Sequence, residues 1–447
     1  MASIFNVEGV GVQETPVSHY MAGISELFPR PNKTRLLESS VANRLELDVL
    51  PTNLGFNMKL SDRYVDFTIP GTPGSFIDPG KLVICTRLRF TTSDGVTALG
   101  ADAKVDAVNN TAHSIFKSVQ VFLGDVAVET NLMYGYTSYL KSLCTFSAEK
   151  MAATGALANL RKESNEGGLI NEAYFNEAVV ARSGEFKARG LSLAAPLFLD
   201  VSSMDSYLLD GIPIRLRLEL ANNSWVLLQP GEQEKSQYHV DSIKLLYSRI
   251  FPYPNALQAL NQALAQGQLI KSTFTKTLYK TYVLTRDQLS ATYDQPWGDV
   301  IPEKLIIFMT SMEAHAGKYT TNPLYLGAGK LNEVKISVNG RNICSVACNF
   351  PYNCSEIYYR TLESLGLHRD HCLNLELFKK GGFAFCLDLR AENLNETIPV
   401  EMTGGLRLHL SFSEAAGTNN TLIHLLGETT GIISVNNNRR LQCDVRA

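Results

Sequence analysis

At 447 residues the chain is long enough for two or three domains, each able to bury its own core. With 45% hydrophobic and 19% charged residues and a formal net charge of −3, it has a globular composition rather than a disordered or fibrous one, and the lack of a basic excess argues against direct nucleic-acid binding as its main task. No uncharged apolar run reaches the length of a membrane span and no signal-peptide pattern opens the chain, so the expectation is an intracellular protein, soluble when made, with its eight cysteines reduced and sequons such as Asn32-Lys33-Thr34 and Asn395-Glu396-Thr397 unmodified.

Residues 1 to about 31 mix Gly, Pro, Ser and scattered apolar groups such as Ile24, Leu27 and Phe28 without a period, and read as an arm. Strand signals begin near Leu45. Tyr64–Ile69, Leu82–Cys85 and Leu88–Phe90 lie among turns such as Pro70-Gly71-Thr72-Pro73-Gly74. In Ser118–Asp125, Val119, Val121 and Leu123 share one face of a strand that runs into the turn Gly124-Asp125. Tyr136, Tyr139, Leu140 and Leu143 then recur at helical spacing, and Ser147–Arg189, polar and rich in Ala and Glu, reads as a partly helical insertion on an exposed edge or crown. In Ile214–Leu220 the apolar residues Ile214, Leu216, Leu218 and Leu220 alternate with Arg215, Arg217 and Glu219, as in an antiparallel strand with one wet face.

A strand at Ile243–Tyr247, then Pro252 and Pro254, lead into a short helix over Asn255–Gly267 with Leu257, Leu260 and Leu264 on one face. Beyond it Lys271–Leu284 reads as a strand, and the earlier elements return in order. Glu333–Gly340 repeats the first hairpin strand at an offset of 215, now with the stronger turn signal Asn339-Gly340. Tyr358, Thr361, Leu362 and Leu365 repeat the helix at an offset of 222, with Ser355 as its expected N-cap and Gly366 as its stop. Leu406–Phe412 repeats the alternating strand at an offset of 192, with Arg407, His409 and Ser411 on the wet side. The expected architecture is therefore all-β with a few short helices, two similar antiparallel sandwiches in tandem.

Candidate chemistry is sparse. Cys344, Cys348, Cys354, His368, His371 and Cys372 supply enough ligands for zinc, but their spacing lacks the close pairs of structural zinc sites, and buried thiols more often serve as small apolar groups. Asp388 and Glu392 could be cast as paired glycosidase acids; an acid ending an apolar strand more often accepts hydrogen bonds from turn amides. Gly9-Val10-Gly11 lacks the strand and third glycine of a dinucleotide loop, no phosphate loop or nucleophile elbow is present, and His315, without a legible Ser or Cys partner, reads as a turn residue. Tyr134, Tyr136 and Tyr139 read as core or interface rather than a base-stacking platform. No catalytic, cofactor-binding or metal residue is assigned, and no enzyme activity is expected.

The repeated segments, with Ser114–Leu123, Leu208–Leu216, Gly382–Leu389 and Gly404–Leu410 in order, resemble the hexon-like double jelly-roll major capsid proteins, those of adintoviruses and Maverick or Polinton elements in particular. Leu132–Tyr136 departs in lacking a proline before the helix, and Arg390 departs in standing where a small polar residue is usual. The resemblance implies an arm at residues 1–34, a first jelly roll at 35–254 carrying the insertion at about 147–189, a linker helix at 255–267, and a second jelly roll with the C-terminal tail at 268–447. It implies pseudo-hexameric homotrimers that tile an icosahedral shell around double-stranded DNA, beside a single jelly-roll penton or minor capsid protein, with the packaged DNA contacted only indirectly and no membrane insertion. The expected location is the virion, after synthesis in the host cytoplasm and assembly there or in the nucleus. A carbohydrate-binding or carbohydrate-processing double sandwich is the alternative, for which Trp225 and Trp297 are the two available indoles.

Overall fold

The computed structural model describes residues 3–7, 12–16, 41–53, 63–100, 102–161, 168–175, 179, 186–187, 189–232, 235–366, 371–390, 403–415 and 420–444. Residues Met1–Val41 and Ala42–Ala447 form two separate units. In the first, β1 (Ser3–Val7) and β2 (Val12–Pro16) pair antiparallel, Ser3 opposite Pro16 and Val7 opposite Val12. The aperiodic arm thus contains a hairpin, built from a short supply of strand-forming Ile4, Phe5, Val7 and Val12. Gly9, Val10 and Gly11 lie outside the described residues.

The second unit begins with β3 (Val41–Val49), β4 (Tyr64–Ile69), β5 (Phe76–Thr91), β6 (Asp106–Ala107), β7 (Phe116–Leu123), β8 (Val126–Asn131), β9 (Leu191–Pro196), β10 (Ile214–Leu220), β11 (Leu227–Leu228) and β12 (Gln237–Pro252). One sheet has the order β3-β12-β5-β9 and the other β4-β10-β7-β8, with β6 and β11 as a small extra pair. After a helix at Pro254–Ala265 come β13 (Ile270–Leu284), β14 (Ser290–Asp294), β15 (Lys304–Ser311), β16 (Leu331–Val338), β17 (Arg341–Ala347), β18 (Ala384–Asp388), β19 (Leu406–Phe412), β20 (Thr421–Val435) and β21 (Leu441–Asp444). Their sheets run β13-β20-β15-β18 and β14-β19-β16-β17, and β21 pairs with the end of β20 that β15 leaves free. Leaving out β6, β11 and β21, each lobe has the same two strand orders, first-eighth-third-sixth and second-seventh-fourth-fifth, the pattern of an eight-stranded jelly roll.

The alternation in the sequence sets the register. Leu216 lies opposite Phe67 and Val121, and Leu408 opposite Tyr293 and Ile336. The inward residues of β10 and β19 are buried, each side chain contributing about 1.5–3 kcal/mol. On the wet face the equivalent positions bond across to the neighbouring strand: Arg217 Nε donates to Asp66 at 2.8 Å, and the His409 ring nitrogen lies 2.8 Å from the Thr292 hydroxyl. In the turn after β16, Asn339 and Gly340 both take positive φ, 51° and 77°, while after β7 Gly124 does so at 60°.

Two local expectations are corrected. The second repeated helix spans Ser355–Leu365 with Cys354 at the N-cap position, because a tight turn in which the Tyr352 and Asn353 amides donate to the Asn349 carbonyl starts the helix one residue early. Its end at Gly366, φ 96°, matches the sequence. The Ser147–Arg189 stretch is partly helical but not purely superficial where it is described. Asp106, fully buried on β6, draws in Arg161 at 3.3 Å and the Tyr174 hydroxyl at 3.1 Å, and Ile170, Phe175 and Val179 make a small core with Leu228.

Candidate functional site

The two lobes share one continuous core, and their seam is where polar chemistry concentrates. The Tyr134–Thr145 helix of the first lobe lies in that seam, with Tyr134, Tyr136 and Tyr139 buried. The Tyr136 ring stacks on His315 at 5.7 Å and 8° and meets Phe308 and His424 at 5.7 and 5.2 Å. Gly135 is required beside it, since a Cβ there would come within 2.7 Å of the Trp225 ring. His424 stacks on Phe308 at 4.5 Å, and its two ring nitrogens reach the Tyr279 hydroxyl at 2.6 Å and the Thr310 hydroxyl at 2.7 Å. Burial, then the nearby His315, pushes the His424 pKa down to about 3, so the ring is neutral.

Beside the aromatic cluster runs a polar clamp. The edge of β13 would be a free row of backbone groups, and the first lobe covers it. Asp200 accepts from the Thr277 amide at 3.1 Å and its hydroxyl at 2.7 Å, Asp205 from the Thr273 amide and hydroxyl at 3.2 and 2.8 Å, and the Thr275 amide donates to Ser203 Oγ at 2.7 Å. Lys276 Nζ donates to the Val128 carbonyl at 2.7 Å, and both Lys141 and Lys276 stand 3.8 Å from Asp200. Glu129 accepts from the Asp200 amide at 2.7 Å; burial, then the Asp200 charge, holds its carboxyl well above the ordinary range. Farther along the seam, Arg439 pairs with Asp210 at 2.6 Å and donates to Asn261 at 3.0 Å.

The cysteines and histidines weighed and discounted as zinc ligands are not brought together where they are described. Among the described residues no three His, Cys, Asp or Glu side chains stand where one ion would hold them, and His368 lies outside those residues. The Cys348, Cys354 and Cys372 thiols donate to the carbonyls of Leu331, Pro351 and Ser147, and burial followed by neighbouring Cys354 pushes Cys348 up to about 11. Asp388 accepts from the Arg390 amide at 3.0 Å and pairs with its guanidinium; burial would raise its pKa, but these bonds to Arg390 hold it below the usual range. Glu392 is outside the described residues. Trp225 and Trp297 are half-buried against the core, where a Cβ on Gly427 would touch the Trp297 ring at 3.2 Å.

His315 is corrected from a turn residue to the last turn of the Met312–Ala316 helix, in the seam, because the second lobe brings it onto Tyr136. Sequence reasoning passed over His424, Asp200 and Glu129. Their signal was a polar side chain set in an apolar run, as in Leu422-Ile423-His424-Leu425-Leu426 and Leu199-Asp200-Val201, which only a buried partner explains.

No protein-family model matches the chain. The uncharacterized protein F54H12.2 of Caenorhabditis elegans is 20% identical over 286 residues, a match that takes in 62% of this chain and 66% of that one, so the chain spans just under two thirds of that relative. Among solved structures, a chain of the Sputnik virophage aligns over 99% of this chain and 94% of its own length at TM-score 0.63 and 12% identity. The Faustovirus major capsid protein aligns over 94% of both chains at 0.58 and 10%, and the mavirus major capsid protein over 98% of this chain and 97% of its own at 0.52 and 8%. The chain has the double jelly-roll fold. That fold, read with the strand orders above, makes the seam the joint between two jelly rolls.

Proposed function

We propose that the chain is a major capsid protein whose homotrimers form pseudo-hexameric capsomers of an icosahedral shell around double-stranded DNA. The observation that carries this is the pair of jelly rolls with one strand order, welded along a buried seam, in the fold of the Faustovirus and mavirus major capsid proteins. Two equivalent lobes per chain let three chains approximate sixfold symmetry, and cyclic closure then leaves no unpaired lobe. The role is structural, within a virion, with a single jelly-roll penton or minor capsid protein as partner. In this reading residues 1–34 are an arm tying neighbours together, 35–254 and 268–447 the jelly rolls, and 255–267 the link. Kinship with adintoviruses and Maverick or Polinton elements belongs to the same proposal, and a relative in an animal, Caenorhabditis elegans, fits an element that integrates.

Pseudo-symmetry also supports one choice of the surface that closes the ring. Within one chain the first repeated helix is covered by the second lobe. Its counterpart Ser355–Leu365 leaves Tyr359 exposed at 53%, and Ile343 (52%) and Tyr352 (79%) are other exposed apolar side chains of the same lobe. In the trimer this face meets the first lobe of the next copy. Mass measurement of the purified protein and imaging test the reading together: a trimer with a pseudo-sixfold outline is expected, and a stable monomer with glycan affinity would overturn it in favour of the carbohydrate alternative.

A further inference from the structure

The chain carries 41 Lys and Arg against 44 Asp and Glu, yet one crevice on the seam has a strong local excess of positive charge. A cavity of about 380 Å³ opens where the C-terminal ends of the two repeated helices approach. Lys141, Lys150, Lys304 and His371 line it, and Glu428 is its one carboxylate among the described residues. Ile306 and Leu365 form apolar wall, which focuses the field of the charges around it.

Each lysine lacks full compensation. Lys150 lies 4.5 Å over the Phe146 ring and makes no ion pair with a carboxylate among the described residues. Lys304 stands in register between Glu428 and Asp388, but Asp388 is taken by Arg390. Lys141 shares Asp200 with Lys276, two ammonium groups on one carboxylate, while the burial of Glu129 favours its neutral form. The His371 ring nitrogens lie 3.0 and 3.1 Å from the carbonyl oxygens of Cys144 and Gly366. The ring bridges the ends of two helices, one from each lobe.

We propose that this crevice binds a polyvalent oxyanion of the phosphate class, which fastens the first jelly roll to the second. Three separated lysines around one cavity match a group with several negative oxygens, and Glu428 already occupies the place of a single carboxylate. The space admits a free oligophosphate, whereas the rod of a DNA duplex does not enter it. The inference stands on the crevice alone and does not depend on the capsid reading.

The test is thermal unfolding of the full chain with inorganic pyrophosphate, against sodium chloride at matched ionic strength. A saturable rise in Tm is expected, with an apparent Kd at least about tenfold weaker in the Lys150→Met/Lys304→Met double variant. Lys244→Met, on β12 and paired with Asp48 outside the crevice, keeps the unsubstituted response. Lys150→Met alone, at an exposed position, carries the comparison if the double variant does not fold. No rise in Tm, a rise unchanged in the crevice variants, or a response to a short DNA duplex but not to pyrophosphate would each overturn the proposal.

Discussion

The two copies of the repeated helix share a spacing and differ in where they end up. Of the twelve residues of Tyr134–Thr145, ten are buried; of the eleven of Ser355–Leu365, only Ile357 and Thr361 are. Both pack on their own lobe, the second through Thr361, whose hydroxyl accepts from the Cys386 amide at 3.3 Å. The first is also covered by the other lobe, which brings Phe308, His315 and His424 onto Tyr136. A helix inherits its inner face from its jelly roll and its outer face from whatever stands beside that jelly roll.

The sharpest break of this contrast is a matched pair of truncations. Tyr136→Ala should cost about 3–5 kcal/mol, as for other large core side chains, and Tyr358→Ala at the equivalent, half-buried position about 1–2 kcal/mol. Urea midpoints measure both, and equal losses would show that the second lobe adds nothing to the first helix. Next in size is Asp200→Ala, expected to cost about 3 kcal/mol because it strands the Thr277 donors and two lysines on a buried seam. Asp294→Ala, whose partner Arg407 is on an exposed sheet face, should change the midpoint by less than about 1 kcal/mol.

Acid sharpens the comparison by another route. Burial lowers the pKa of His113 to about 3, and burial with His315 does the same to His424. In the unfolded chain both titrate near 6.5, so between pH 6.5 and 3 the unfolded state binds more protons and stability falls as pH falls. Each histidine should cost about 2 kcal/mol between pH 7 and 5. Tm against pH checks this, and His424→Gln should remove its share of the slope. The smallest effect on folding is expected for Tyr359→Asp, within about 0.5 kcal/mol for the isolated chain. In the proposed trimer it places a charge in the closing contact, and the mass in solution should drop to that of one chain.

Much of the fold was legible because jelly-roll strands with one wet face must alternate. Ile214–Leu220 and Leu406–Phe412 declare both their type and their inward faces, and Asn339-Gly340 declares its turn. The seam was less legible. Tyr136 could be read as core or interface, but nothing local separates it from Tyr358, and His315 looked isolated because its partners are 179 positions before it and 109 after it. The Cys344, Cys348 and Cys354 group looked like ligands only in one dimension; strand and turn geometry turns each thiol toward core or carbonyl.

By itself the sequence determined the duplication, the period of each strand, the turns and the inward face of each sheet, because these follow from the backbone's own repeat of two residues and from local φ preferences. Only the tertiary structure decided which copy of the helix is covered, that Asp200 clamps the edge of β13, and that three lysines and His371 surround one crevice. Those outcomes depend on one lobe meeting another across residues far apart in the chain, 77 positions for Asp200 and Thr277, and burial and charge compensation are properties of that meeting rather than of any segment.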